Sequence, residues 1–177
     1  MKVNEAILSK RAIRDFSDRP ILLAEAETIL NAGRRSQSSK NTQSWKFLAI
    51  FDREKQARLA ACGQWAGHIA SAQMAVALLT PDPTEKFQTM FDCGQAAAYM
   101  QLAAWELGIG SCPASIYEPE QARQILSFGP EWHLRIVLSF GYPARAEALI
   151  SPNKQGGRKS LEEVVEFIGM PNQIATS

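Results

Sequence analysis

Charge of one sign is scarce: 19 Lys and Arg against 18 Asp and Glu leave the 177-residue chain at +1. Such a surface has no long-range field for DNA, RNA or an anionic membrane, so any basic function must be local. Cysteine is scarce too. Cys62, Cys93 and Cys112 are odd in number and follow no metal-ligand spacing or disulfide framework, which favours a reducing, cytoplasmic interior. The opening Met1-Lys2-Val3-Asn4-Glu5 is not followed by an apolar run, so no secretory leader is expected. The most apolar stretch, residues 87–107, contains Gln88, Asp92, Gln95, Gln101 and Glu106 and is too polar to span a membrane. Repeats and low-complexity tracts are lacking.

What is present suits a globular chain, with 46% apolar and 21% charged residues. The length predicts one domain over residues 1–177 with a sizeable core. Asn4 is placed to cap a short helix whose apolar side is Ala6, Ile7 and Leu8. Leu22, Leu23, Ala26, Ile29 and Leu30 recur at helical spacing, and Gly33 offers a stop, predicting a helix over 22–32. Residues 46–51 read as a strand, and Asp52 as the cap of a helix over 53–61. The run 74–79, closed by Pro81 and Pro83, reads as a buried strand.

Residues 87–107 are apolar on most sides, which predicts a central, largely buried helix ended by Gly108-Ile109-Gly110. A strand to Ile116, a helix over 119–126 with Pro119 in its first turn, and a strand over 134–140 follow. The tail combines a flexible stretch, 152–157, with a short helix opened by Ser160 in capping-box form. Few strands, irregularly spaced among helices, favour an α+β fold with one mixed sheet.

Two clusters suggest chemistry. Lys10, Arg11 and Arg14 suit a solvated helix end or a phosphate, to which Arg offers forked donors and Lys a point charge. Gln37, Ser38, Ser39, Asn41 and Gln43 precede Trp45-Lys46-Phe47 and, taken alone, read as a polar loop. Gly108-Ile109-Gly110 is no dinucleotide fingerprint, because it closes a helix where that motif must open one. Cys112 lacks a recognisable base, with only His68 and His133 in the chain, which disfavours thiol hydrolysis.

Read in order, Arg11-Ala12-Ile13-Arg14-Asp15-Phe16 and Gln37-Ser38-Ser39-Lys40-Asn41-Thr42-Gln43-Ser44-Trp45 resemble the start of the flavin-dependent nitroreductase family. That family typically reads Arg-Arg-Ser-Ile-Arg-x-Phe, then Ala-Pro-Ser-Ser-x-Asn-x-Gln-Pro-Trp. Arg158 ahead of Leu161-Glu162-Glu163-Val164 is similar to its closing segment, so the resemblance runs from Arg11 to about Val165. It implies a nitroreductase-like α+β fold, a sheet flanked by helices with a long central helix, and an intertwined homodimer with FMN at the subunit interface.

The resemblance also implies roles for residues. Lys10, Arg11, Arg14 and Arg158 would surround the FMN phosphate. Gln37, Ser38, Ser39, Asn41 and Gln43 would be offered to the partner subunit's flavin. Gln64 would reach the pyrimidine edge. Pro113, Ala114, Ser115 and Ile116 would line the ring, with an amide near Ser115 or Ile116 donating to N5. Flavin N5 would carry the chemistry, taking a hydride from NAD(P)H and passing it to nitroaromatics or quinones by a ping-pong route. No side chain would be catalytic, and no metal, nucleic acid or membrane would take part.

The sequence departs from the family pattern at several positions. Ala12 stands at a usual Ser, Gln37 and Ser44 at usual Pro residues, Gly67 at a usual Lys, and Ser115 where an acidic residue is frequent. Next to Gly67, His68 reads as a substitute cation or as a structural histidine. These departures leave open a flavin-binding carrier or sensor with little turnover, and a specialised member acting on flavin or a peptide-derived substrate.

Overall fold

Residues 2–149 and 157–169 are described by a computed structural model of the chain, with Met74–Thr80 (β2) at its centre. Every residue of β2 is buried. Met74, Val76 and Leu78 enter one apolar cluster while Ala75, Ala77 and Leu79 enter another. Successive side chains of a strand point to opposite faces, so a strand covered on both sides must be apolar throughout. Beside β2 run β1 (Lys46–Ile50) and β4 (His133–Gly141), and β3 (Gly110–Ser115) lies outside β4, giving the order β1-β2-β4-β3. All three pairings are antiparallel, and the expected mixed character rests on one parallel bridge, Ala12 with Ser111, at the outer edge of β3.

Helices cover both faces of this α+β sheet. On one side α2 (Leu23–Arg34) and α4 (Gln88–Glu106) place Ala26, Ile29, Cys93 and Met100 against Leu138 and Phe140. On the other, α3 (Arg53–Ala60) and α5 (Pro119–Leu126) pack Leu59, Ala122 and Ile125 against Ala77 and Val137. A third cluster joins α1 (Val3–Ser9) to the end of α4 through Ala6, Ile13, Phe16 and Trp105. The short α6 (Leu161–Val164) begins after Ser160, whose N–H donates to the Glu163 carboxylate at 2.8 Å, the expected half of a capping box. Asp52 caps α3 by accepting from the Lys55 N–H, Pro119 opens α5, and Gly108 ends α4 at φ +74°. No helix among the described residues is long and apolar enough to cross a membrane.

Three expectations need correction. Asn4 lies inside α1, which starts at Val3 because the Glu5 carboxylate accepts from the Lys2 N–H at 3.0 Å. Gly33 does not stop α2, which continues to Arg34; any Cβ at Gly33 would overlap the Met100 side chain, so the glycine serves helix contact. Helix α4 is buried on one side only: Phe91 and Tyr99 are 69% and 45% exposed, and Phe87, just before its first turn, is 83% exposed. Apolar residues all round a helix thus do not require burial on every side within one protomer. Of the predicted flexible stretch, 152–156 lies outside the described residues.

Candidate cofactor site

The outer edge of β3 forms the floor of the site, and its ladder with β4 decides which groups face outward. The Ile116 N–H donates to the Arg135 carbonyl at 2.8 Å. Alternation along an antiparallel pair then turns the backbone groups of Cys112 and Ala114 toward β4 and those of Ser111, Pro113 and Ser115 outward. The Ser111 carbonyl agrees, since it accepts from the Ile13 N–H at 3.0 Å. Pro113 has no N–H to leave unpaired, which suits an edge. Of the two amides expected to face a ring, Ser115 thus has its N–H directed off the sheet, while that of Ile116 is committed. Side chains alternate as well: Pro113 and Ser115 are exposed, whereas Ala114 and Ile116 are buried in the core beneath α3 and α5.

The loop after α3 reaches the same edge. The Cys62 carbonyl accepts from the Tyr117 N–H at 2.8 Å and the Glu118 N–H at 3.1 Å. Gly63 then lies so close that a Cβ there would overlap the Ser115 carbonyl oxygen. This approach brings the exposed Gln64 next to Ser115.

Cations gather at the other end of the edge. Lys10 Nζ donates to Gln101 Oε1 at 2.6 Å, and the same oxygen lies 3.5 Å from Ser111 Oγ. Burial lowers the Lys10 pKa, the Cys112 thiol group opposes that shift, and the neighbouring Arg158 guanidinium adds to it. Burial pushes the Cys112 thiol up against the pull of Arg14 and Lys10. Lys10 and Arg14 therefore lie near Cys112, and Arg158 lies near Lys10. Among the described residues, no carboxylate neutralises any of the three through an ion pair. An uncompensated cluster of this kind fits a phosphate. Arg11 is turned instead toward backbone carbonyls, Ser9 O at 3.4 Å and Leu149 O at 3.5 Å.

Next to Arg14 sits His68, buried, with Nδ1 2.7 Å from Ser139 Oγ. Burial and then the Arg14 charge depress its pKa below the ordinary value of 6.5, so the ring is neutral near pH 7. In the free protein His68 therefore adds no charge beside Gly67. Arg14 is the permanent charge on that side.

The polar loop lies elsewhere on the protomer. The Ser39 N–H donates to Asp92 Oδ2 at 2.9 Å, the Gln43 N–H to Ser38 Oγ at 2.9 Å, and Gln37 Nε2 to Gln95 Oε1 at 2.8 Å. Lys40, Asn41 and Gln43 have φ of 51°, 55° and 48°, a region that side chains with a Cβ adopt at a cost. Asp92 and Gln101 are nine residues apart on α4, about 14 Å at roughly 1.5 Å per residue. The structure thus groups Lys10, Arg14, Arg158, Gln64 and Ser115 along one edge, and anchors Gln37, Ser38, Ser39, Asn41 and Gln43 to the opposite end of α4. Asp92, Gln101 and Ser139 were not foreseen as site residues. For Asp92 and Gln101 the signal was a polar side chain in an apolar helix.

Known proteins share the family and the fold of this chain. The family model described as "Nitroreductase family" matches residues 7–77 and 63–142. A protein of Archaeoglobus fulgidus named "Putative NADH dehydrogenase/NAD(P)H nitroreductase" is 30% identical over 144 residues, 77% of this chain and 83% of that protein. The chain belongs to the nitroreductase family. Its fold is shared with a Parabacteroides distasonis protein of the same name, with a TM-score of 0.81 and 21% identity over 95% of this chain and 98% of that one. An FMN-dependent nitroreductase of Clostridium difficile also shares it, with a TM-score of 0.79 and 24% identity over 93% and 98%.

Proposed function

We propose that the chain is a single-domain FMN-dependent NAD(P)H oxidoreductase that reduces electron-poor acceptors such as nitroaromatics and quinones by a ping-pong route. The observation that carries this reading is the β3 edge. An unneutralised set of cations, Lys10, Arg14 and Arg158, lies at one end, and the outward Ser115 N–H beside Gln64 lies at the other. A mononucleotide with a planar ring needs counter-charge at its phosphate and a fixed donor at the ring. FMN held there would supply hydride transfer, chemistry that no side chain of the chain offers.

Lys10, Arg14 and Arg158 neutralise the phosphate, with Arg11 adding charge from behind. Arg14, lying toward His68, also supplies positive charge on the side where Gly67 brings none. Gln64 orients the ring through its amide, and the Ser115 N–H is the donor for N5. Pro113 and Ser115 present the exposed surface under the ring, while Ala114 and Ile116 hold that edge in place from the core.

The site is completed in a homodimer by the partner subunit's polar loop. Two observations support this: the loop lies roughly 14 Å along α4 from its own protomer's Lys10 anchor, and α4 exposes Phe91 and Tyr99, with Phe87 exposed just before it. The exposed Gly94 and Ala98 on the same face would let another helix approach closely. The free thiols of Cys62, Cys93 and Cys112 support a cytoplasmic location.

Visible spectroscopy of the FMN-loaded protein under nitrogen tests the reading. NADPH or NADH should bleach the flavin band and a quinone should restore it. Flavin that binds but stays oxidised under excess donor would instead make the chain a carrier or sensor.

A further inference from the structure

His68 is a buried titratable group outside the roles just described, and it joins a hydrogen-bonded chain that runs through Ser139 to the Cys112 carbonyl. Ser139 Oγ has one proton and donates it to the Cys112 carbonyl at 3.1 Å. With that bond made, it accepts at its 2.7 Å contact with His68 Nδ1, the arrangement that uses both contacts and places the ring's hydrogen on Nδ1. The neutral ring is left with a lone pair on Nε2. The charged groups near it are Arg14, from the segment before α2, and Lys10, reached through Cys112 on β3; Ser139 on β4 and the Cys112 carbonyl are neutral. A guanidinium offers only donors, so a lone pair rather than an N–H suits its neighbour.

We propose that His68 is a positioning residue whose Nδ1–H holds Ser139 and the Cys112 carbonyl beneath the ring-lining edge, and whose Nε2 takes up a proton when an anionic mononucleotide binds beside Arg14. The proposal rests on the oxidoreductase reading. In the free protein the Arg14 charge opposes a second cation. A bound phosphate reverses that balance, so FMN binding and protonation of His68 favour each other. Ser139 keeps its role in both states, because imidazolium Nδ1–H still donates to it. Affinity should therefore rise as pH falls through the His68 titration, over and above the weakening caused by protonation of the phosphate itself.

Two measurements test this. Imidazole nitrogen NMR of the 15N-labelled free protein, with His133→Gln for assignment, should show Nδ1 protonated and Nε2 bare at pH 7.5; the opposite tautomer overturns the proposal with no flavin present. FMN dissociation constants from flavin fluorescence quenching between pH 8 and 5.5, for wild type and His68→Gln, give the second readout. The ratio of variant to wild-type constants should grow about three- to tenfold as pH falls, the scale of one added charge at partly buried range. A constant ratio overturns the proposal. If His68→Gln does not fold, Ser139→Ala replaces it and should abolish the wild-type tautomer preference; a preference that survives contradicts the relay. Absence of FMN binding in wild type would sink the oxidoreductase reading, and the proton uptake with it, while leaving the tautomer result to judge the relay alone.

Discussion

Lys10 Nζ donates to Gln101 Oε1 at 2.6 Å, fastening the cation cluster to the same helix that anchors the polar loop through Asp92. Helix α4 thereby sets the spacing between the cation cluster and the polar loop, roughly 14 Å along its axis.

Replacing Gln101 with Leu should leave a half-buried ammonium without its acceptor. A lost hydrogen bond to a charged group costs about 1–3 kcal/mol. Chemical denaturation should show a loss of that order, and FMN titration a weaker affinity as Lys10 swings away. Unchanged values for both would mean that the bond does not position Lys10.

Gly63→Ala would drive a Cβ into the Ser115 carbonyl, a backbone atom that cannot rotate aside. Overpacking of this kind costs roughly 1–3 kcal/mol, and here it would move the edge that presents the Ser115 N–H. FMN affinity should fall with stability. Gly67→Ala, where a new Cβ meets nothing within 4 Å, is the matched control and should bind FMN like wild type.

Asp92→Ala removes the acceptor for the Ser39 N–H. The loop carries three non-glycine residues at positive φ, so it should relax once released. The expected result is a folded protein with intact far-UV circular dichroism, faster proteolysis near residues 38–43 and reduced flavin retention. Proteolysis at the wild-type rate would show that Asp92 does not hold the loop.

The depressed His68 pKa has a consequence for stability in the free protein. Above the ordinary histidine value of 6.5, folded and unfolded chains both hold neutral rings and nothing is lost. As pH falls below it, the unfolded chain binds the proton first, so stability declines until the folded pKa is passed. Melting temperatures measured from pH 8 to 5 should drop more for wild type than for His68→Gln. Parallel curves would place the acid sensitivity elsewhere.

Much of the fold was legible because β2 and α5 each obey one local rule: an unbroken apolar strand and a proline-opened helix. The cation segment and the polar loop were legible as ordered motifs. Gly33 misled because a glycine at a helix crossing has the same letter as one at a helix end. The outer side of α4 misled because its apolar residues do not say whether their partner lies in the same chain. That the Ser115 N–H faces outward while that of Ile116 is bonded needed the pairing register of β3 with β4, and the His68–Ser139 contact joins residues 71 apart in sequence.

A mixed dimer tests the shared site most directly. One subunit would carry Lys10→Ala and Arg158→Ala with an intact loop; the other would carry Ser38→Ala, Ser39→Ala and Asn41→Ala with intact cations. Neither variant alone should retain FMN. If cations from one protomer meet the loop of its twin, the purified heterodimer regains one complete site and binds one FMN per two chains. A heterodimer as empty as its parents would contradict the account.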